Sequence, residues 1–258
     1  MKNTEQIFLE EKIEYFSILP ISEAEIINSR LMPDDAKTVI VFLIPYKTDN
    51  SASEGLAHFA RVKDYHGFSK KLFGKIIPKF KELYPRNSFW GFADHSPVNE
   101  RLLAQKGGLG DLGKNGLLIN EKYGSYVFIG EVITDAIIPQ RITPAVKLCT
   151  NCNKCLDVCP KKSDCLSHIS QKKQKTDEDF LILKENKIVW GCDKCQEVCP
   201  LNSHSLLSPF SYFYESKISS PTDIFSMSKE EFESYAFSYR KRAVIEENLE
   251  NIFKKDID

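Results

Sequence analysis

Hydrophobic and polar positions follow strand-like and helix-like patterns over the first part of the chain. Residues 36–46 (AKTVIVFLIPY) contain an unbroken apolar run rich in β-branched residues, which predicts a buried strand. Between residues 58 and 85 apolar side chains recur at helical spacing until Pro85, which predicts a helix with a lysine-rich outer face. Further along, the pattern predicts a helix that closes on Gly107 and Gly108.

Two more strands are predicted after this glycine-rich stretch. Residues 116–120 (GLLIN) and 125–134 (SYVFIGEVIT) have strand character and are separated by the turn EKYG, so we expect them to pair. The mixture of strands and helices places the N-terminal region in the α/β or α+β class.

The composition changes after Pro144, where short cysteine-rich units replace the aliphatic patterns. The charged stretch 170–187 between them predicts an exposed insertion whose lysines, Lys172, Lys173 and Lys175, form a solvated face. From Ser228 onward one or two amphipathic helices are predicted, with Ser228 as N-cap and Glu231 completing a capping box. The chain is thus expected to comprise an α/β domain at 1–143, a cysteine-rich domain at 144–206 and a helical tail at 207–258.

Length and charge exclude several classes of protein. With 258 residues, 42% of them hydrophobic, and a net charge of −1, the chain is neither a disordered protein nor a coiled rod. The near-zero charge provides no general attraction for polyanions. No apolar run approaches the ~18 residues of a membrane span and no signal peptide is recognisable, so we expect a cytosolic protein that makes no membrane contact. We also expect a monomer.

All eight cysteines lie between Cys149 and Cys199, which favours metal binding over disulfides. The first four form C-x2-C-x2-C-x3-C-P, a bacterial ferredoxin run in which the fourth cysteine binds the other cluster. The second run, C-x2-C-x3-C-P, has Val189 where a symmetric ferredoxin would have its first cysteine, and Cys165 can replace that thiolate. The spacing predicts two 4Fe-4S clusters, one held by Cys149, Cys152, Cys155 and Cys199 and the other by Cys159, Cys165, Cys192 and Cys195. The alternative is a pair of zinc sites, because short C-x2-C pairs also form zinc ribbons.

A second redox centre is expected before the cysteines, because ferredoxin modules usually pass electrons to one. The glycines of GGLGDLGKNG (107–116) follow a predicted helix instead of a strand, so they do not make a dinucleotide-binding fingerprint. They do permit backbone amides to approach a bulky ligand closely.

The sequence resembles the epoxyqueuosine reductases, cobalamin-dependent iron-sulfur enzymes related to reductive dehalogenases. The resemblance extends from Gly55 to about Asn202 and is carried by a set of motifs in the family's order: HFARVKDYH, ADHSPVNER, GGLGDLGKNGLLIN, YGSYVFIGEVITD, CTNCNKCLDVCP, CLSHIS and WGCDKCQEVCPLN. It implies an α+β fold with a nitroreductase-like cobalamin-binding domain followed by a ferredoxin-like domain with two clusters. It also implies reduction of epoxyqueuosine to queuosine at the wobble position of the tRNA anticodon loop, with electrons from an external low-potential donor.

The resemblance also implies roles for individual residues. Asp94 matches the family's acid in the D-x-x-P-V motif and would be the proton donor, with its pKa raised by burial near Trp90 and Phe92. The alternative is that Asp94 caps the helix that follows it. Neither His66 nor His95 is assigned as an axial cobalt ligand. The expected cobalamin contacts are Ala57, Arg61, Tyr65, His66, Lys114, Asn115, Leu118, Ile129, Trp190 and Gly191, the last two between corrin and cluster.

The chain departs from the family pattern in three places. It is expected to be a short form that lacks the C-terminal helical repeats with which the family grips tRNA. Glu246 and Glu247 lie in a stretch that the family keeps more basic, and Asp111 stands where an aromatic or apolar residue is common. Two alternative functions follow: a corrinoid iron-sulfur reductase of a small electrophilic substrate other than tRNA, and a two-cluster electron-transfer protein.

Overall fold

The structure, a computed structural model, describes residues 3–52 and 55–253. Its contacts divide the chain into two compact units, each assembled from several stretches. The first contains the chain up to Pro45, His66–Cys152 and Pro200–Phe210, and the second contains Tyr46–Tyr65, Asn153–Cys199 and the chain from Ser211. This grouping by contacts differs from the division into three consecutive segments expected from composition. That division into domains stays a prediction.

The first unit is built on a four-stranded antiparallel sheet with the strand order β1-β2-β6-β3. The strands of this unit are β1 (Phe16–Pro20), β2 (Thr38–Pro45), β3 (Phe89–Ala93), β4 (Asp111–Leu112), β5 (Leu118–Ile119) and β6 (Val127–Thr134). The strand predicted at 36–46 is confirmed as β2, which is buried along its whole length.

The predicted pairing of residues 116–120 with 125–134 is wrong. β5 pairs with β4 in a separate two-stranded sheet, whereas β6 lies between β2 and β3 in the main sheet. The two apolar stretches are nevertheless joined by a tight turn, because the backbones of Asn120 and Gly124 exchange two hydrogen bonds of 2.9 Å. Pairing with β2 and β3 buries more of the long apolar run of β6, and pairs more of its backbone, than pairing with the two-residue strand β5 would.

One face of the sheet packs against α1 (Thr4–Glu10) and α2 (Tyr65–Leu83). Aromatic rings fill this layer: Phe8 stacks on Phe16 at 4.6 Å, and Phe80 stacks on Phe89 at 5.2 Å between centroids. The helix predicted within 58–85 is therefore confirmed as α2, which ends before Pro85 as expected.

The opposite face packs against α3 (Glu100–Lys106), the helix expected to close on Gly107 and Gly108. The loop before α3 and the strand β5 add to the same apolar layer. Its fully buried members are Leu19, Val39, Val41, Leu43, Val98, Leu103, Ala104, Leu109, Leu118, Ile129 and Ile133. Three candidate residues described below, Asp94, Glu100 and Asp111, lie at the ends of β3, α3 and β4, and this apolar layer holds those ends in place.

The second unit is helical. Its helices are α4 (Lys154–Asp157), α5 (Leu166–Ser170), α6 (Asp177–Glu185), α7 (Lys194–Glu197), α8 (Lys229–Glu233) and α9 (Arg242–Phe253). The side-chain amide of Asn248 on α9 donates to the carbonyls of Ser170 and Val189, both at 2.8 Å, so the last helix fixes the backbone before the second cysteine run. The prediction of one or two C-terminal helices is confirmed by α8 and α9, and Ser228 caps α8 by accepting the Glu231 N–H at 3.1 Å.

The stretch 170–187 contains a capped helix, α6, instead of forming only an exposed insertion. Lys172 pairs with Asp164 at 2.8 Å and with Asp179 at 3.1 Å, and the side chain of Lys175 is buried against Phe180. The expectation that these two lysines are part of a solvated face is therefore wrong. Their charges are satisfied within the unit.

Over residues 3–52 and 55–253, none of the helices combines the length and the apolar character required to cross a bilayer.

Candidate active site and cysteine cluster

Asp94 lies immediately after β3, in a backbone conformation that few residue types adopt. Its φ of 66° places it in the left-handed region, which aspartate tolerates better than most residues. The following helix does not use Asp94 as its cap: Asn99 is the N-cap of α3, and its side chain accepts the Leu102 N–H at 3.4 Å. The capping alternative for Asp94 is therefore wrong.

The Asp94 carboxylate faces solvent. Its side chain is 67% exposed, so the burial near Trp90 and Phe92 expected from the sequence is not observed. His66, at the start of α2, lies next to it with 3.8 Å between Nε2 and Oδ2. Trp90 on the same edge strand is 37% exposed. The end of β3 and the start of α2 thus present an acid and an imidazole to the solvent.

Two carboxyl groups behind Asp94 escaped the sequence analysis. Glu100 begins α3, and the backbone N–H of Asp94 donates to its carboxyl group. Glu131 is fully buried at the centre of β6. Among the described residues, neither carboxyl oxygen of Glu131, nor Oε2 of Glu100, has a hydrogen-bond partner.

Both buried acids favour their protonated forms. Burial, with the nearby charge of Asp94, raises the pKa of Glu100 to about 7. Burial, with the nearby charge of Glu100, holds the pKa of Glu131 well above its ordinary value. The signal that could have identified Glu131 is an ionisable residue in the middle of the apolar run VFIGEVIT.

The expected cobalamin contacts of the first unit lie in different settings. Lys114 and Asn115 belong to the hairpin loop between β4 and β5, where the Asn115 side chain accepts the Leu117 N–H at 3.3 Å. Leu118 and Ile129 are both buried in the apolar layer under α3, so their side chains serve the core. Only backbone groups of these two residues remain to contact a ligand.

In the second unit the structure brings together Ala57, Trp190 and Gly191. The Ala57 N–H donates to the Trp190 carbonyl at 3.0 Å, and a Cβ added to Gly191 would lie 2.6 Å from that of Ala57. Gly191 also has a positive φ of 70°, so this close approach requires glycine. The Trp190 side chain is 1% exposed and packs in the core against Phe237.

The remaining contacts predicted in this unit lie near the N-terminal end of α2. The Arg61 guanidinium is held by the Ser51 hydroxyl at 3.1 Å and the Ala52 carbonyl at 3.0 Å, with Asp49 at 3.9 Å. Tyr65 is the first residue of α2 and is half-buried. Arg61 is therefore occupied by protein partners in this structure.

All eight cysteines carry free thiols. Cys149 and Cys152 belong to the first unit and the other six to the second. Burial raises the pKa of Cys192 to about 12, and the neighbouring thiols of Cys165 and Cys195 add to this effect. Two of the other three cysteines predicted to hold the second cluster thus lie near enough to Cys192 to affect its ionisation. A metal's positive charge would favour the thiolate form of Cys192 against this effect.

Carboxylates fix the backbone around both cysteine runs. Oδ2 of Asp111 accepts the N–H groups of Leu148 and Cys149, each at 2.9 Å. Burial raises the pKa of Asp111, but these two hydrogen bonds outweigh that effect and hold the pKa below its ordinary value. In the second unit the buried Asp193 accepts the His58 N–H and the Gln196 side-chain amide, both at 2.6 Å.

Within residues 3–52 and 55–253, no three His, Cys, Asp or Glu side chains lie close enough together to hold a single metal ion. The fit of iron-sulfur clusters therefore rests on the chemistry of the donors. Eight cysteines that form no disulfide, in ferredoxin-type spacing, supply the thiolates that two cubanes require. The short helices α4 and α7, which carry Cys155 and Cys195, also pack against each other.

The matches among curated proteins are epoxyqueuosine reductases. That of Pseudomonas aeruginosa is 33% identical over 131 residues, which cover 50% of this chain and 34% of the relative. That of Listeria monocytogenes is 28% identical over 211 residues, covering 70% of this chain and 55% of the relative. The chain is related to the epoxyqueuosine reductases. It spans about a third to a half of the length of these relatives, and no protein-family model matches it.

Solved structures of epoxyqueuosine reductases have the same fold. The enzyme from Streptococcus thermophilus superposes with a TM-score of 0.77 at 22% identity, over 96% of this chain and 79% of that one. A second epoxyqueuosine reductase, solved with an epoxyqueuosine-modified tRNA stem loop, gives 0.75 at 21% identity, over 96% of this chain and 80% of that one. A catabolic reductive dehalogenase gives 0.51 at 16% identity, over 78% of this chain and 32% of that one. The mixed helix and sheet fold expected from the sequence is confirmed.

Proposed function

We propose that this chain is a cobalamin- and 4Fe-4S-dependent oxidoreductase that reduces epoxyqueuosine to queuosine in tRNA. The observation that carries the proposal is the setting of Asp94, which ends an edge strand in a left-handed conformation, faces solvent and leaves the capping of α3 to Asn99. Residues held in sparsely populated backbone conformations cluster at functional sites. The relation to epoxyqueuosine reductases and the tRNA stem loop bound to one of them support the substrate.

In this proposal the chain combines a nitroreductase-like cobalamin-binding part with a ferredoxin-like part. Cys149, Cys152, Cys155 and Cys199 hold one 4Fe-4S cluster, and Cys159, Cys165, Cys192 and Cys195 hold the other. The electrostatic effect of Cys165 and Cys195 on the Cys192 thiol supports the second set. An external low-potential donor supplies electrons to the clusters.

Cobalamin, when bound, supplies a low-valent cobalt centre able to deliver two electrons to a strained epoxide. Conversion of the epoxide to an alkene consumes two electrons and two protons and releases the oxygen as water. The chain's own contribution is one of the two protons, which the Asp94 carboxyl group donates to the departing oxygen, and solvent supplies the other. His66 Nε2 lies 3.8 Å from Asp94 Oδ2, beyond hydrogen-bond distance, and would interact with this carboxyl group through its charge when protonated.

The residues that would hold the cofactor fall into two kinds. Backbone groups fit the amide-rich rim of a corrin at Ala57, Gly191, Leu118 and Ile129, whose side chains are absent or buried. Polar side chains are available at Lys114, Asn115, Tyr65 and His66, whereas Arg61 would have to exchange its protein partners. The indole ring of Trp190 is buried and would act through packing.

An anaerobic assay tests the proposal. Reconstituted protein, supplied with cobalamin and a low-potential reductant, should convert epoxyqueuosine in tRNA to queuosine, as read by nucleoside mass spectrometry. The Asp94→Asn variant, which keeps the size of the side chain, should lose at least about 100-fold in turnover. Its cobalamin uptake, followed by the change in the corrin absorption spectrum, should equal that of the wild type.

Other outcomes would redirect the assignment. Protein that binds cobalamin and carries iron but leaves epoxyqueuosine unchanged would favour a corrinoid reductase of another electrophile. Protein that carries iron and does not bind cobalamin would favour simple electron transfer. Undiminished turnover of the Asp94→Asn variant would remove the role of Asp94.

A further inference from the structure

The Asp111 carboxylate connects three segments of the first unit. Asp111 lies on β4, and its Oδ2 accepts the N–H groups of Leu148 and Cys149, both at 2.9 Å. Its Oδ1 accepts the side-chain amide of Gln105, on α3, at 3.1 Å. Both oxygens of this one carboxylate are therefore occupied by N–H donors from distant parts of the sequence.

The chain that leads to Cys149 needs such an anchor. Residues 144–147 are exposed and belong to no helix or strand, whereas Leu148 and Cys149 are half-buried. The change in exposure coincides with the two hydrogen bonds to Asp111. Because ordering a chain segment costs conformational entropy, the position of Cys149 depends on contacts of this kind.

We propose that Asp111 is a positioning residue that fixes Cys149 for its iron-sulfur cluster and lowers the reduction potential of that cluster. This inference rests on the part of the proposed function that assigns Cys149 to a 4Fe-4S cluster. Net charge and hydrogen bonds to sulfur set the potential of such clusters, and residues outside the ligand set tune both.

Two physical effects act in the same direction. A carboxylate near the cluster makes the addition of an electron less favourable, because the reduced cluster is more negative. The carboxylate also engages the N–H of Cys149, a donor that could otherwise point at a cluster sulfur and stabilise the reduced form. Both effects favour a low potential, as reduction of a cobalt cofactor requires.

The test is an anaerobic redox titration of the reconstituted protein, followed by electron paramagnetic resonance. In Asp111→Asn, which removes the charge and keeps the shape, one of the two clusters should move to a higher potential and the other should not. The matched control is Asp135→Asn, because Asp135 also accepts a backbone N–H, that of Ser88 at 2.9 Å, away from any cysteine. This control should leave both potentials unchanged.

A second variant covers the case in which Asp111→Asn fails to fold or loads only one cluster. Asp111→Glu retains the negative charge, so its potentials should stay close to those of the wild type while the iron content falls, because the longer side chain misplaces Cys149. Unchanged potentials in Asp111→Asn with a full iron content would overturn the inference. So would a raised potential in Asp111→Glu.

Failure of the inference and failure of the proposed function can be told apart. The potentials are measured without tRNA, so an inactive protein with two clusters still tests Asp111. Wild-type protein that takes up no iron would instead overturn the cluster assignment itself.

Discussion

Glu100 provides a quantitative test of the electrostatics behind Asp94. Its carboxyl group is half-buried at the start of α3, near Asp94, Arg101 and the fully buried Glu131. Replacement by glutamine keeps the shape and a hydrogen-bond acceptor for the Asp94 N–H, and removes the ionisation. The effect of Glu100→Gln on the free energy of unfolding should therefore depend on pH.

The magnitude follows from the pKa of Glu100. Burial and the nearby charge of Asp94 raise it from 4.5 to about 7. At about 1.36 kcal/mol for each tenfold change in proton affinity, this difference corresponds to roughly 3 kcal/mol. Because the folded state holds the proton more tightly than the unfolded chain, this stabilisation is fully present below pH 4.5 and is lost as the pH rises through about 7.

The assay is denaturant unfolding of wild type and Glu100→Gln at matched iron content, at intervals between pH 4.5 and 8. The variant should be about as stable as the wild type at the acid end and should gain up to roughly 3 kcal/mol relative to it by pH 8. Glu82→Gln, an exposed glutamate on α2 of the same unit, controls for the substitution itself. A stability difference that does not change with pH would refute the buried, proton-retaining state of Glu100.

Three further substitutions test other parts of the structure. Cys165→Ser should lower the iron content from about eight to about four atoms per chain, as measured by iron analysis, because Cys165 is assigned to the cluster of Cys192 and acts on that thiol. An unchanged iron content would remove Cys165 from the ligand set. Gly91→Ala should destabilise the fold by about 1–3 kcal/mol in thermal unfolding, because the added Cβ would lie 2.5 Å from the Phe73 ring. Gly74→Ala, on α2, should instead stabilise the fold by about 1 kcal/mol, because its added Cβ meets nothing within 4 Å and alanine favours the helix. Asn99→Ala should cost about 1 kcal/mol through loss of the α3 cap. Asp94→Gly also removes a side chain, and glycine tolerates the φ of 66° at this position, so a larger loss in Asp94→Gly than in Asn99→Ala would return the capping role to Asp94.

Local patterns predicted the elements well where a single periodicity decides the structure. The apolar run of β2 and the helical spacing of α2 both correspond to elements of the structure, since burial of one face or of a whole strand is written into the local sequence. The partner of each strand in a sheet, by contrast, is not determined by the local sequence. The pairing of β6 with β2 and β3 depends on contacts across some 90 and 40 residues, whereas the local turn at 121–124 pointed to β5.

Burial of charged residues was the main error of the sequence analysis. Lys172 and Lys175 were expected on a solvated face, but Asp164, Asp179 and Phe180 enclose them. Glu100 and Glu131 were missed because a glutamate in a strand or at a helix start is ordinarily exposed. The cysteine spacing, by contrast, predicts Cys165 as a cluster ligand by counting alone. Its thiol lies near enough to Cys192 to affect the pKa of that thiol, and the ligand set itself stays a prediction.

The arrangement around Asp94 separates chemistry from stability. β3 delivers the residue to solvent, and Asn99 satisfies the first turn of α3, so this helix cap does not depend on the Asp94 carboxylate. Glu100 and Glu131, whose ionised forms are destabilised by burial, lie behind Asp94 in the packed layer, where burial favours their protonated forms near neutral pH. An acid that donates a proton must be able to change its charge without unfolding the surrounding structure. Asp94 meets that requirement because the cap, the apolar layer and the buried acids are all supplied by other residues.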